Sequence, residues 1–333
     1  MRRILITDRV KGIARDYRDN LFKGRNVNFE KPKDRLQALL DDINIKKGAG
    51  YYNWSFYSQY LQNLINHYDD LLDLKPSEFK SYYSLYFSDP RGLLAEKKWR
   101  KKTKAGRSPF YEEVVKLMRY EDVREKEIIP YLAQLEIHTC VYCNTQYTPT
   151  IHVKKGRLIG GFELDHNFPK SKYPFLCTSF FNLYPVCANC NGWKVGREAE
   201  FVLYSEDPTQ LNPFSFKLDR ASIIKYMLFQ DPELLEIVFD SNDKTLLSSH
   251  NLLFHTEKYY GAFREVAEEL IWKSKTRNAV YKRQLIDSFL KLFPRKHVDV
   301  DRFLYGFYFD PKDIHRRPLT KLQQDIAKQL NII

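Results

Sequence analysis

No stretch of the 333-residue chain is apolar for long enough to span a bilayer, which argues against a helical membrane protein. The opening "MRRILITDRV" offers only a four-residue apolar patch, too short for the core of a secretory signal. No internal repeat and no low-complexity tract is present, so neither a repeat array nor a disordered tail is expected. Cysteine is sparse, five residues in all, and without a secretion signal these argue against a disulfide framework. The expectation is a soluble, cytoplasmic protein. What the chain does have is 43% hydrophobic and 15% aromatic residues, enough for a folded core spread over two or three structural units.

Charge is unbalanced. The net charge is +12, which suits a polyanionic partner. Residues 1–130 hold 27 Lys and Arg against 19 Asp and Glu, and "EKKWRKKTKAGR" (96–107) concentrates much of the surplus around Trp99. Two readings fit that run: a solvated loop, or a phosphate-binding arm whose tryptophan stacks on a base or sugar.

Apolar spacing predicts helices over "KDRLQALLDDINI", with Leu36, Leu39, Leu40 and Ile43 on one face, and through 54–88, with Pro76 in a first turn. Further helices are expected at "SPFYEEVVKLMRY" and "VREKEIIPYLAQL", the second bent or split by Pro130. From residue 140 the pattern changes. "QYTPTIHV", a Lys-Lys-Gly turn and "RLIGGFEL" read as the two strands of a hairpin. A loop rich in aromatics and prolines follows, then a short helix near "CNGWKVGREAEF". Beyond 201 come a turn-rich linker, "DPTQLNPF", a strand, "LLEIVFD", a long helical stretch over 255–293 and a last helix, "TKLQQDIAKQL". Within that stretch Phe263, Val266, Ala267, Leu270 and Ile271 recur at helical spacing, a stripe for a core or for a docking partner. The fold class expected is mainly α with a small ββα finger, α+β overall. Its segments are 1–137 (basic, helical), 138–200 (ββα) and 201–333 (mostly helical).

Four of the five cysteines form two pairs of identical spacing, Cys140 and Cys143 in "CVYC", Cys187 and Cys190 in "CANC". Two C-x-x-C knuckles read as one tetrahedral zinc site, because each short turn donates two thiolates from one side. A redox C-x-x-C is the competing reading, but it does not come twice. A Cys₄ shell is closed, so the ion holds shape and does no chemistry; His138 and His152 are not needed in it. Cys177 is left over as a buried free thiol.

Between the knuckles stands "ELDHNFPKSKYPFLCTSFFNLYPVCANCNGWK". The ordered set C-x-x-C, D-H-x-x-P-x-S, N-L and C-x-x-C-N-x-x-K resembles the HNH endonucleases, the ββα-metal finger in its zinc-knuckled form. The match covers residues 140–197, about a sixth of the chain. The family's third signature position is often His, and here it is Asn191, the HNN variant. An amide oxygen still suits Mg²⁺ or Mn²⁺ but weakens the expectation of Zn²⁺ or Ni²⁺ at the catalytic position. The resemblance implies His166 as general base, Asp165 and Asn191 as ligands of a catalytic Mg²⁺, and Asn182 as the residue that ties the loop and orients the histidine. It also implies Lys194 as a phosphate contact.

The spacing suits that chemistry. Imidazole has the right ordinary pKa to take a proton near neutrality. Adjacent residues of an extended chain face opposite ways, so Asp165 can serve a metal while His166 serves water. Lys194 follows Asn191 by three residues, on the same helix face. Glu163 is a candidate outer-shell group or simply an exposed strand residue. Taken singly, each residue is equally a turn, cap or surface group; their joint placement carries the reading.

The expected function is therefore metal-dependent hydrolysis of phosphodiester bonds, with double-stranded DNA favoured over single strands and RNA. The alternatives are a zinc-stabilised nucleic-acid-binding module with a dead site, and a structural protein whose Cys₄ finger only organises helices. The helical segment leading into "CVYCN" and the linker at "DPTQLNPF" are also similar to HNH effectors that act beside an ATPase in bacterial anti-phage systems of the Septu and retron-associated kind. That likeness implies an ATPase partner and a defence role. A stand-alone restriction-type HNH enzyme is the alternative.

Overall fold

The computed structural model describes residues 1–101, 108–277, 279–292 and 299–333. It is 58% helical with a few short strands, an α+β protein. Among the described residues no helix is long and apolar enough to cross a membrane. The sequence suggests three consecutive segments; the chain instead divides into two compact units, each assembled from separated pieces.

One unit comprises residues 4–135 and 150–206. Its helix Asp8–Asn20 starts where the Thr7 hydroxyl accepts the Val10 N–H at 3.4 Å. The helix Pro32–Gly50 opens on a first-turn proline and buries Leu36, Leu39, Leu40 and Ile43, the predicted stripe. It packs on Trp54–Asn66, which buries Tyr57, Tyr60, Leu61 and Leu64. Two residues strands at each end of the unit, β1 (Ile4–Leu5) and β6 (Tyr204–Ser205), pair in parallel.

Trp99 does not serve as a stacking platform for a base. It is 3% exposed, with Phe110 at 5.1 Å and Tyr51 and Tyr57 each at 5.8 Å, and its Nε1–H donates to the Ser108 carbonyl at 3.1 Å. A large ring flanked by other rings gains more from burial than from waiting in water, and the arm reading loses its aromatic. Residues 102–107 of that basic run lie outside the described residues.

The strands around the motif also differ from expectation. A hairpin does form, β2 (Thr150–His152) against β3 (Leu158–Gly160). However, "ELDH" is not its second arm. It is a separate strand, β4 (Glu163–His166), paired antiparallel with β5 (Leu183–Val186), "LYPV", from the stretch read as a loop. Register places Asp165 opposite Tyr184 and His166 opposite Leu183. Pro185 hid this strand from the sequence, since a residue without an N–H usually marks turns and edges. The helix that follows, Ala188–Lys194, starts earlier than expected, capped by Cys187.

The other unit comprises residues 1–3, 136–149 and 207–333. Its hairpin is β7 (Ser215–Leu218) with β8 (Ile237–Asp240), the predicted "LLEIVFD" strand. The last helix, Thr320–Gln329, lies along β7 and buries Leu322, Ile326 and Ala327. Two of its side chains replace a neighbouring strand: Asp325 accepts the Phe216 N–H at 3.0 Å, and Gln329 accepts the Leu218 N–H and donates to the Leu218 carbonyl, each at 2.8 Å. Of the predicted stripe, Ala267, Leu270 and Ile271 of the helix Arg264–Thr276 are buried and serve the core, while Phe263 and Val266 are half-buried. In the same unit the turn after "CVYC" is tied by Asn144, which donates to Thr139 and the Ile314 carbonyl and accepts the Lys321 N–H. His250 donates to the Tyr142 carbonyl at 3.0 Å and Tyr260 to that of Cys143 at 2.5 Å.

Candidate active site

His166 ends β4 and is 7% exposed. Its Nε2 lies 2.9 Å from the Cys177 carbonyl oxygen. A carbonyl can only accept, so Nε2 carries the hydrogen and the lone pair is on Nδ1. The Tyr120 ring packs against the imidazole with centroids 4.6 Å apart, and its hydroxyl donates to the Leu164 carbonyl at 3.2 Å. Burial pushes the His166 pKa down to about 3, the Cys177 carbonyl working against this and Lys170 and Lys194 adding to it. The ring is neutral at physiological pH.

The loop that carries the Cys177 carbonyl is held by Asn182. This buried amide accepts the Phe168 N–H at 2.8 Å and donates to the Phe168 and Leu176 carbonyls at 3.1 Å each. All its contacts go to backbone, so it fixes residues 168–176 and, one residue further, the acceptor of His166. Cys177 itself is buried and forms no disulfide, and burial pushes its thiol up to about 12.

Asp165 alternates with His166 along β4 and turns to a different partner. Lys194, the last residue of the helix Ala188–Lys194, brings its ammonium within 3.3 and 3.1 Å of the two Asp165 carboxylate oxygens and donates to the His166 carbonyl at 2.6 Å. The lysine side chain is 1% exposed. Burial lowers its pKa and Asp165 raises it in opposition. The expected phosphate contact is thus turned inward, onto the carboxylate. The short helix packs on β4, which brings the ammonium against the carboxylate on the cleft wall.

Asp165, His166, Asn191 and Lys194 all line one cleft of about 500 Å³. Its wall also includes Tyr111, Tyr120, Arg124, Glu163 and Lys170, of which sequence reading singled out only Glu163. Arg124 sits on a wide turn, Val123–Glu127, in which the Ile128 N–H reaches back five residues to the Val123 carbonyl at 3.1 Å. Such π-turns recur at functional sites and are invisible to helical periodicity. Pro130, at the start of the helix that follows, is the one sequence sign of the interruption. Arg124 pairs loosely with Glu163 at 3.8 Å, and the Lys170 ammonium stands 4.7 Å from the Tyr120 ring centroid.

The sulfur atoms of Cys140, Cys143, Cys187 and Cys190 are buried and lie within 4.8 Å of one another. In a tetrahedral zinc site sulfurs sit about 3.8 Å apart, so the cluster fits such an ion with little adjustment. Backbone N–H groups already point at two of them, Thr145 at Cys143 and Cys190 at Cys187, each at 3.5 Å, as suits thiolates. For Mg²⁺ the donor set is thinner: one carboxylate and one amide oxygen in one cleft, which suits a small hard cation that keeps most of its waters. No family model, curated protein or solved structure matches the chain.

Proposed function

We propose that the protein is a metal-dependent endonuclease of the HNH type. The observation that carries this reading is a neutral histidine whose Nε2–H is fixed on a carbonyl, in a cleft shared with Asp165 and Asn191. His166 Nδ1 takes the proton of the attacking water. An entering phosphodiester brings negative charge beside the ring and raises its basicity from the low value that burial imposes. Cys177 and Asn182 keep the imidazole in one tautomer and one orientation. Asp165 and Asn191 would hold Mg²⁺ or Mn²⁺, which when bound supplies Lewis-acid stabilisation of the phosphate and the leaving oxygen. Arg124 and Lys170, at the cleft wall, take over the phosphate contacts first assigned to Lys194. Zn²⁺ on the four thiolates would be structural. Such a site reads backbone and not bases, so its residues do not choose among nucleic acids; double-stranded DNA is the substrate proposed first, ahead of single strands and RNA.

Cleavage of a panel of single- and double-stranded DNA and RNA with Mg²⁺ or Mn²⁺ tests this. Activity with wild type and none with His166→Ala is expected; salt-sensitive binding without cleavage by wild type would instead favour the dead-site binding module. Metal analysis should return one zinc per chain. The defence role with an ATPase partner rests on likeness of the flanking segments, and co-purification with the product of a neighbouring gene tests it; an active monomer would favour the stand-alone enzyme.

A further inference from the structure

Three cationic side chains line the cleft, Arg124, Lys170 and Lys194, against two acidic ones, Glu163 and Asp165. The neutral His166 and Asn191 leave the wall with a net charge of +1, which is the wrong sign for capturing a divalent cation. The two acids are moreover engaged: Glu163 faces Arg124 at 3.8 Å, and Asp165 has the Lys194 ammonium against both oxygens. Lys194 is locked there by its bond to the His166 carbonyl and by burial. Cation affinity of an oxygen site follows the number of negative ligands it offers, and here the one carboxylate is already balanced.

Resting on the nuclease reading above, we propose that Lys194 keeps the catalytic cation out of the free protein, so that the divalent ion is bound only together with the phosphodiester. The polyanion is drawn by the positive wall and contributes the missing negative oxygens. The ion then completes its shell from phosphate, Asp165 and Asn191. Lys194 is in this sense a positioning residue: it holds Asp165 in place and sets its effective charge. The consequence is an enzyme that does not scavenge divalent metal between turnovers.

The test is Mn²⁺ binding, read from the spectrum of free Mn²⁺, by zinc-loaded protein carrying His166→Ala, which cannot cut. That variant retains the residue-166 carbonyl that holds Lys194. Affinity for Mn²⁺ should be at least about tenfold tighter with a short double-stranded DNA present than without, the scale of one unit charge at close range. Adding Lys194→Met should tighten DNA-free binding about tenfold and shrink the gap, whereas Lys194→Arg should keep it. If the Met protein does not fold, Lys194→Gln, which keeps a donor for the carbonyl without the charge, replaces it. Equal affinity with and without DNA, or DNA-free affinity unchanged by removing the Lys194 charge, overturns the proposal while leaving the metal centre standing. Absence of any Mn²⁺ binding sensitive to Asp165→Asn, with or without DNA, overturns the nuclease reading and this inference with it.

Discussion

Among the described residues, two buried lysine–aspartate pairs occur, one in each compact unit. Lys194 meets Asp165 at 3.1 Å, and Lys321 meets Asp325 at 2.8 Å, with side chains between 1% and 11% exposed. Their immediate chemistry is the same, but their settings are not. Asp325 uses a second bond to accept the Phe216 N–H, so its pair finishes the edge of a hairpin and serves structure. Asp165 lines a cleft beside a histidine of fixed tautomer and an amide. A buried ion pair is therefore no sign of function by itself; what surrounds it decides.

The largest expected contrast is in rate. His166→Ala should lower cleavage by about 10²–10⁴-fold, the usual share of a general base. Lys321→Met, which breaks the other pair, should leave the rate per folded molecule unchanged. If both slow cleavage alike, the distinction between site and scaffold fails.

Stability should treat the pairs as equals. Asp165→Ala and Asp325→Ala each strand a buried ammonium, at a cost of about 3–5 kcal/mol in urea unfolding, yet only the first should abolish turnover. Asn182→Ala removes three buried hydrogen bonds to backbone and should cost about 1–3 kcal/mol. Turnover should fall further than stability alone explains, because the carbonyl that orients His166 is released.

The smallest contrast is one of pH, because it should not separate the regions. Burial lowers His250 to about 3 and His315 to about 4, as it does His166. These rings are neutral in the native state and protonate more readily when unfolded. Their contribution is therefore complete above pH 6.5 and is lost as pH falls toward 4, by up to about 1.4 kcal/mol per pH unit for each. Denaturation midpoints that stay flat from pH 6.5 to 4.5 would contradict this.

How much of this was legible in the sequence follows the same division. The stripes of Leu36, Leu39, Leu40 and Ile43 and of Ala267, Leu270 and Ile271 were readable because periodicity records burial. The cysteine spacing predicted a four-sulfur cluster, and the four sulfurs do come together. Strand β5 was not legible, since Pro185 obscures it and pairing with β4 is a long-range choice. The burial of Trp99 was not legible, because a basic neighbourhood says nothing about which way a ring turns. Lys194 was placed on the right helix and does line the cleft, but its pairing with Asp165 was not legible, since that depends on packing against β4. Arg124 carried no signal at all: its place at the cleft comes from a π-turn, not from spacing.

In the proposed enzyme Asp165 and Asn191 should converge on one divalent cation within reach of a phosphodiester. Crystals of the His166→Ala protein with Mn²⁺ and DNA test it through anomalous scattering. A peak touching the Asp165 carboxylate, the Asn191 amide oxygen and a phosphate oxygen is the result predicted. A well-occupied DNA complex with no peak there, or with Mn²⁺ held by other residues, would contradict it.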